Sequence, residues 1–314
     1  MATVITSTAL STADGTGSAI ACAAAAGSSC LQQAGLTPAD VDVLINVGVY
    51  RDATIPEPAL AALIQKHIGI NLGYLRAADK HTAFSLDLMN GADGGLKAVQ
   101  VSRSLLAAGA RRVLVVSAAT HPPTDPAQAG KAAFPYASTG SALLLEHSDD
   151  ACGFGRVLHR KLSGSRGING YLPLYEVGSG GRNAFSVERD LDLEERLLAL
   201  GVDSIRGCLT AEYGTEAAYA PTALDRTLLI TCQPSPVFAS RLAQRLGIAS
   251  DAAVTVQGLE GDPPTSALTY GFWQAQDAGR FAGHDQILFL AVGAGLSSAA
   301  SLYRLSGESE SAAC

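Results

Sequence analysis

Leu105–Ser117, with the sequence LLAAGARRVLVVS, contains the end of a helix-like run, a glycine and then an apolar run of strand length. Asp277–Val292, with the sequence DAGRFAGHDQILFLAV, has the same order of features. A Gly-containing turn and a closing strand follow both segments. A pattern that returns in the second half of a chain indicates duplication of a structural unit. We therefore expect two similar α/β halves, residues 1–150 and 151–314.

Strand-like and helix-like runs alternate outward from these two segments. Val41–Val49 and Thr227–Cys232 are nearly continuous apolar runs, which is typical of strands buried on both faces. Each is followed by a helix-like run, Pro58–Ile68 in the first half and Val237–Leu246 in the second. The alternation predicts an α/β fold in which helices cover both faces of the sheets.

The composition excludes several classes of protein. The chain has 314 residues, of which 47% are hydrophobic and 16% charged, far from the composition of a disordered chain. The net charge of −7 gives no basic face for nucleic acid and no attraction to an anionic membrane. No apolar run reaches membrane-spanning length, and the first residues lack the features of a signal peptide. We expect a cytoplasmic protein that has neither nucleic acid nor a membrane as its partner.

The cysteines and glycines do not indicate a metal or a nucleotide cofactor. The six cysteines are scattered and form no CxxC pair, so free thiols are expected and no metal site is predicted. The glycine turn Gly293–Gly295 lacks the spacing of a phosphate-binding loop and precedes a strand rather than a helix. We expect no cofactor.

Four short motifs carry a resemblance to a known family. The strand Ala83–Leu86 runs into the small-residue segment Gly91–Gly95, and Thr265–Ala267 opens a later helix. The glycine turn Gly293–Gly295 is followed closely by a pair of serines. In these features the chain resembles the ketoacyl-ACP synthases III of the thiolase superfamily. The resemblance implies an αβαβα sandwich of two similar halves, a dimer, and an acyl thioester substrate carried by acyl carrier protein or coenzyme A.

The three catalytic positions of that family hold other residues in this chain. The family uses a Cys at a helix N-terminus to take up the acyl group, and a His and an Asn to bind the thioester carbonyl of the second substrate. The resemblance places Asn90 at the Cys position, Cys232 at the His position and Pro264 at the Asn position. A carboxamide is not a nucleophile, and proline has no side-chain donor.

Two interpretations stand for both Asn90 and Cys232. Asn90 either contacts a bound acyl group or caps the helix that follows, with Asp93 in its first turn. Cys232 is either a relocated nucleophile at the end of a strand or a small, inert residue in the space of a histidine. With the N–H of Ala294, the backbone N–H groups at Asn90 could still form an oxyanion hole, because that needs no side chain.

Two histidines and one carboxylate are further candidates for a catalytic base. His81 and His121 each lie beside a strand that points toward the expected site, and the alternative is that both are simply solvated. Asp87 stands near the end of the strand before Asn90, where it is either a catalytic carboxylate or a hydrogen-bonded structural group.

The family's platform for coenzyme A is missing from its usual place. The family carries a tryptophan between its first strand and first helix, whereas Thr6–Gly17 leads almost directly into a helix near Ser18. The single tryptophan of this chain is Trp273. An acyl carrier protein or a smaller thioester is therefore the expected donor.

Gly164–Arg182, rich in Gly, Ser and Tyr, is the clearest long loop.

Two functions from different classes are compatible with these substitutions. The first is a ketosynthase III-like acyltransferase or condensing-type enzyme of polyketide or fatty-acid-like metabolism, which handles an acyl thioester without the usual Cys. The second is a catalytically silent subunit that pairs with an active ketosynthase and shapes the pocket of its partner. A homodimer fits the first function, and a heterodimer with a related synthase fits the second.

Overall fold

A computed structural model describes residues 2–12, 18–49, 58–72, 82–119, 137–163, 167–171, 186–218, 220, 222, 224–259, 261–293 and 295–306. Three candidate site residues, His81, His121 and Ala294, lie outside the described residues. The other candidates, Asn90, Cys232 and Pro264, lie within them.

Strands and helices alternate through the described residues. The strands are β1 (Ala2–Thr12), β2 (Val43–Asn46), β3 (Phe84–Asp87), β4 (Arg112–Ala119), β5 (Thr139–Ser148), β6 (Gly153–Phe154), β7 (Leu158–Lys161), β8 (Ile168–Tyr171), β9 (Ser186–Arg189), β10 (Thr227–Thr231), β11 (Ala253–Val254), β12 (Gln286–Gly293) and β13 (Ser297–Arg304). The helices are α1 (Ala19–Gln33), α2 (Leu60–Ile68), α3 (Gly94–Ala107), α4 (Leu193–Tyr213), α5 (Thr215–Ala218), α6 (Phe238–Leu246) and α7 (Ala267–Asp277). A 3₁₀ turn, Gly91–Asp93, leads into α3.

One eleven-stranded sheet contains strands of both halves. Its order is β3-β2-β4-β5-β1, then the short β6, then β13-β12-β10-β11, with β7 also beside β13. In the first half β2 is parallel to β3 and β4, and β5 is antiparallel to β4 and β1. In the second half β10 is parallel to β11 and β12, and β13 is antiparallel to β12 and β7. The same strand order and directions occur twice, which confirms two similar halves; their boundary near residue 150 stays a prediction.

Three apolar clusters hold the layers together, one on the outer face of each half and one between the halves. On the outer face of the first half, α1 and α2 pack against the sheet in a cluster that includes Leu31. On the outer face of the second half, α4 contributes Leu198 and α6 contributes Phe238. Between the halves, Leu96 of α3 and Phe272 of α7 share one cluster with strands of both. The order helix, sheet, helix, sheet, helix confirms the predicted αβαβα sandwich.

Alternation along the strands explains why helices cover both faces. Val43 and Ile45 of β2 face the central cluster, whereas Leu44 between them faces the outer one. Because successive side chains of a strand point to opposite faces, a continuous apolar run buries both. In β10, the residues likewise divide between the central and the outer cluster.

Two segments differ from their predicted structure. Phe154–Leu162, expected to be one strand, is divided into β6 and β7, because the N–H of Arg156 donates to the Glu212 carboxylate (3.0 Å) instead of to a neighbouring strand. Gly164–Arg182, expected to be a loop, contains β8, which pairs with β9 in a separate two-stranded sheet. Glycine within β8 weakens the strand signal in the sequence.

The cysteines follow the prediction of free thiols in part. Cys22, Cys30, Cys208 and Cys232 are free and buried. Cys152 is disulfide-bonded, which departs from the prediction, and Cys314 lies outside the described residues. None of the helices that the structure describes combines the length and the apolar character needed to cross a lipid bilayer.

Candidate active site

The turn between β3 and α3, here called the N-turn (Asn90–Asp93), begins at Asn90, the residue for which two interpretations stand. Asn90 occupies the position before the 3₁₀ turn, but its side chain makes no capping hydrogen bond. Gly91 has φ +56°, in the left-handed region that favours glycine. Asn90 therefore holds the N-cap position without a capping side-chain hydrogen bond, and its half-buried carboxamide is not committed to the helix that follows.

Asp93 is the buried charge of the N-turn. Only 1% of its surface is exposed, and Ser297 at the start of β13 donates a hydrogen bond to Oδ2 (2.5 Å). The other carboxylate oxygen, Oδ1, has no hydrogen-bond partner among the described residues. Burial raises the pKa of Asp93 to about 6, although the Ser297 hydroxyl and then the charge of Lys97 lower it. The site therefore contains a carboxyl group that titrates close to neutral pH.

Cys232 lies just after β10 in a setting that suppresses the thiolate. It is 2% exposed, its Sγ accepts a hydrogen bond from the N–H of Val292 (3.2 Å), and it donates to the carbonyl of the same residue (3.5 Å). Burial raises the pKa of Cys232 to about 12, and the carboxylates of Asp262 and Asp93 raise it further against the effect of the hydrogen bonds. Because the thiolate is the nucleophile of cysteine chemistry, this geometry favours the inert interpretation.

The turn between β11 and α7, here called the C-turn (Gly261–Ser266), carries a chain of buried hydroxyl groups. Ser266 donates to the hydroxyl of Ser117 (3.3 Å), and Ser117 donates to the hydroxyl of Thr265 (2.7 Å). Ser117 belongs to β4 of the first half, so the chain joins the halves. Pro264 stands beside this chain and supplies shape but no donor.

A small cavity lies where the two turns meet. It is lined by Ala92 of the N-turn, by Pro264 and Thr265 of the C-turn, and by residues of the central helices and the sheet: Ile5, Val47, Gly95, Leu96, Val99, Val115, Val116, Ser117, Ser141, Leu143, Phe154, Leu268, Thr269, Phe272 and Phe289. The space open to the centre of a water-sized molecule is ≈ 20 Å³. The lining is apolar except for a few hydroxyl groups, so the cavity fits a small apolar group that carries a hydrogen-bond acceptor.

Solved structures with the same architecture extend over nearly the whole chain. The 3-oxoacyl-(acyl carrier protein) synthase III of Pseudomonas aeruginosa PAO1 has a TM-score of 0.77 and 17% identity, over 97% of this chain and 98% of that one. The corresponding enzyme of Aquifex aeolicus VF5 has a TM-score of 0.73 and 17% identity, over 96% and 99%. A variant of Xanthomonas campestris OleA has a TM-score of 0.75 and 16% identity, over 97% of both chains. The chain has the thiolase-type fold.

These likenesses concern the fold alone, since the identities are so low. No protein-family profile and no curated protein matches the chain. In the thiolase-type fold of this chain, the N-turn and the C-turn stand at the same place in the two halves, after the outermost strands β3 and β11 and before the central helices α3 and α7.

Asp87 has a structural role in this thiolase-type fold. Its carboxylate accepts hydrogen bonds from the N–H groups of Leu60 (2.9 Å) and Ala61 (2.8 Å) at the start of α2, and from the carboxamide of Asn46 (2.9 Å). A carboxylate at a helix N-terminus satisfies donors that the helix leaves unpaired. Of the two interpretations of Asp87, the geometry therefore favours the structural one.

Sequence reasoning missed three polar residues of the site. Asp93 was interpreted only as a favourable charge in a helix turn, and neither Ser117 nor Thr265 was recognised as part of a hydroxyl chain. The polar end of an otherwise apolar strand is the one signal that pointed to Ser117. The described residues contain no group of three or more His, Cys, Asp and Glu side chains suited to a metal ion.

Proposed function

We propose that the chain handles an acyl thioester as a ketosynthase III-like acyltransferase or condensing-type enzyme without a covalent acyl-enzyme. The observation that carries this proposal is the cavity lined by Ala92 of the N-turn and by Pro264 and Thr265 of the C-turn. The N–H groups at the start of α3 supply partial positive charge there. The donor is acyl carrier protein or a small thioester, and a cytoplasmic location stays a prediction.

Direct transfer is the chemistry that the described residues support. Asn90 offers no nucleophile, and the Cys232 thiol stays protonated because its pKa is about 12. In direct transfer the acceptor attacks the thioester carbonyl, the new bond replaces the C–S bond, and the thiol leaves with the proton that the acceptor loses. Positioning and polarisation of the carbonyl then provide the rate enhancement.

Intact-protein mass spectrometry combined with donor turnover tests this proposal. The full chain and its Cys232→Ala variant are incubated with acetyl-coenzyme A and with acetylated acyl carrier protein, using hydroxylamine as a reactive acceptor. We expect acetyl hydroxamate and free thiol from both proteins, with no gain of mass. An acyl adduct that the variant lacks would overturn direct transfer, and no consumption of either donor would overturn the enzyme itself.

A silent subunit is the second candidate function, and the edge strand β3 favours it. Among the described residues, no strand pairs with the outer side of β3, and Phe84 and Met89 beside that edge are 51% and 48% exposed. An uncovered edge strand is a template for pairing with another chain. At the opposite end, the guanidinium of Arg280 donates to the carbonyls of Asp251 and Ala253 beside β11. Of the two edges, β3 is therefore the one at which the described residues leave the backbone open to a partner.

The partner at β3 is, in this proposal, a second copy of the chain or a related synthase. Light scattering after size exclusion gives the oligomeric state of the full chain, and Phe84→Glu introduces charge at the edge. We expect a dimer that the variant weakens, with Val237→Glu (50% exposed, at the start of α6 in the second half) as the matched control. A dimer that turns over donor supports the enzyme, whereas an inactive monomer supports a subunit that awaits another synthase.

A further inference from the structure

Asp93 lies between the two ends of the glycine turn that joins β12 to β13. The N-turn packs against both of these strands. Ser297, the first residue of β13, donates a hydrogen bond to Asp93 Oδ2 (2.5 Å). Gly293 ends β12, and a β-carbon added at this position would lie 3.6 Å from Asp93 Oδ1. One carboxylate oxygen of the first half therefore faces each side of a turn of the second half.

The carboxylate of Asp93 lacks the partners that usually stabilise a buried charge. Asp93 is 1% exposed, Ser297 is the one described residue that donates to its side chain, and Oδ1 receives no hydrogen bond from the described residues. By contrast, the carboxylate of Asp87 accepts three hydrogen bonds. A buried carboxylate with so few donors is stabilised either by binding a proton or by admitting water. The geometry thus connects the proton of Asp93 to the closure of the turn around it.

The glycine turn is followed by a strained residue. Leu296 has φ +52°, a left-handed conformation that is unfavourable for a residue with a side chain. The hydrogen bond from its N–H to the carbonyl of Gly293 (2.9 Å) holds this conformation. Gly295, just before it, borders open space, since an added β-carbon would meet no described atom within 4 Å. A strained segment with room beside it opens more readily than the sheet that carries it.

We propose that Asp93 and Ser297 form a proton-controlled latch between the two halves. The glycine turn stays closed on the N-turn while the Asp93 carboxyl group holds a proton, and loss of this proton to water favours an open turn in which the carboxylate is hydrated. Burial raises the pKa of Asp93 from its ordinary value of 3.8 to about 6, and hydration returns it toward 3.8. Opening therefore becomes more favourable as pH rises from about 4 to 6 and is constant above that range. The latch requires no thioester, so it goes beyond the proposed function.

Few ionisable groups face Asp93 from the elements packed against the N-turn. Lys97, one turn further along α3, lowers the pKa of Asp93 but does not cancel the effect of burial. No residue of β12 has an ionisable side chain, and Tyr303 and Arg304 lie at the far end of β13. These three elements therefore contribute no second carboxyl group and no histidine.

Neighbouring elements contribute two groups that the test must separate from Asp93. The thiol of Cys232, on which the charges of Asp93 and Asp262 both act, stays neutral because its pKa is about 12. Asp262 in the C-turn is a second buried carboxyl group. His159 and Lys161 lie on β7 beside β13, and burial is the main cause that lowers the pKa of His159. Asp262→Asn and His159→Gln are therefore the matched controls for Asp93→Asn.

Hydrogen exchange at the N–H of Leu296 measures opening of the turn in the full chain. Exchange rates from pH 4 to 7.5, compared with the intrinsic rate of an unfolded peptide at each pH, give a protection factor. We expect this factor to be lower than the one that global unfolding in urea implies, to fall about ten- to hundredfold between pH 4 and 6, and then to level off. Asp93→Asn should abolish the fall, whereas Asp262→Asn and His159→Gln should keep it.

Ser297→Ala tests the hydrogen bond of the latch while the titrating group stays in place. A hydroxyl group binds a carboxylate more strongly than a neutral carboxyl group. We therefore expect the protection factor at Leu296 to fall about tenfold at pH 7 and less at pH 4. Thermal melting of each variant shows that it is folded.

Three results would overturn the latch. Exchange at Leu296 by global unfolding alone would mean that the turn does not open by itself. A protection factor that is constant between pH 4 and 6, or a fall that persists in Asp93→Asn, would mean that Asp93 does not control the opening. The wild-type curve requires no variant, so the test stays valid even if a variant fails to fold. Donor turnover decides the proposed function separately, and none of these results bears on it.

Discussion

The N-turn and the C-turn occupy equivalent places in the two halves, yet one buries a charge and the other buries neutral hydroxyl groups. Asp93 of the N-turn has a raised pKa and one carboxylate oxygen without a partner among the described residues. In the C-turn, Thr265 and Ser266 are joined to Ser117 by hydrogen bonds. Duplication thus preserved the backbone plan, and the side chains at the two turns acquired different chemistry.

The difference shows which turn contributes to the stability of the fold and which contains a group that can change its protonation. A buried carboxylate with one unpaired oxygen lowers the stability of the folded state. A satisfied hydroxyl chain fixes geometry at little cost. On this comparison the C-turn is the rigid wall of the site, and the N-turn is the part whose proton state can change.

The largest expected effect comes from introducing a thiol into the N-turn. Asn90→Cys places a sulfur at the start of α3, where the helix N-terminus lowers the pKa of a thiol. We expect one acetyl group to be added from acetyl-coenzyme A or from acetylated acyl carrier protein. The addition is detected as a mass gain that the wild type lacks. Asn90→Ala is the control, and Asn90→Cys combined with Cys232→Ala locates the adduct.

Failure of that variant would be informative about the N-turn. If iodoacetamide labels the new cysteine but thioesters do not acylate it, the turn is accessible and the acyl site is absent. That result would favour the silent subunit over the transferase.

Two polar side chains at strand ends, one in each half, should differ in their contribution to stability: Asp87 at the end of β3 and Gln233 just after β10. Asp87 binds two helix N–H groups and Asn46, whereas Gln233 makes neutral hydrogen bonds with the backbone of Val256 (2.8 and 3.4 Å). Since hydrogen bonds to charged groups are stronger, Asp87→Ala should lower the free energy of unfolding by about 3 kcal/mol and Gln233→Ala by about 1–2 kcal/mol. Urea denaturation measures both, and an equal loss would contradict the comparison.

The charge of Asp93 should make stability depend on pH. Its pKa is about 6 in the folded chain, compared with the ordinary value of 3.8. Between these values the folded state binds more protons than the unfolded state, so the free energy of unfolding falls as pH rises from about 4 to 6. The fall should amount to about 1–3 kcal/mol, and it stays constant above that range.

Asp93→Asn removes this titration and keeps an oxygen for Ser297. We expect the variant to lose the fall between pH 4 and 6 and to be more stable than the wild type at pH 7. Asp203→Asn, which changes an exposed carboxylate of α4, is the control. Curves for wild type and Asp93→Asn that run parallel across this range would show that Asp93 is not the buried charge of the N-turn.

The smallest expected effect is on Cys232. Because its thiol is enclosed and protonated, the native chain should not react at Cys232 with a thiol reagent at pH 8, and Cys232→Ala should leave donor turnover unchanged within about twofold. Peptide mapping after mild alkylation measures the first effect. Labelling of Cys232 ahead of Cys30, another buried free thiol, would contradict the inert interpretation.

Much of the fold could be predicted from local pattern. The runs of β4 and β10 are continuous and apolar, so they indicated strands buried on both faces. β8 was missed because its composition resembles that of a loop. Asn90 lies at the N-cap position, as one of its two interpretations has it, but makes no capping hydrogen bond, because the preference of Asn for helix starts does not fix where its side chain turns.

The sequence by itself determined the alternation of elements and the duplication, because alternation is a property of neighbouring residues and the duplication is the same local order found in two segments. Only the tertiary structure decided the chemistry of the site. Ser117 and Thr265 are separated by 148 positions in the chain, and Asp93 and Ser297 by 204. The raised pKa values of Asp93 and Cys232 depend on burial, and Asp93 and Thr265 take hydrogen-bond partners from the other half; no local pattern encodes either.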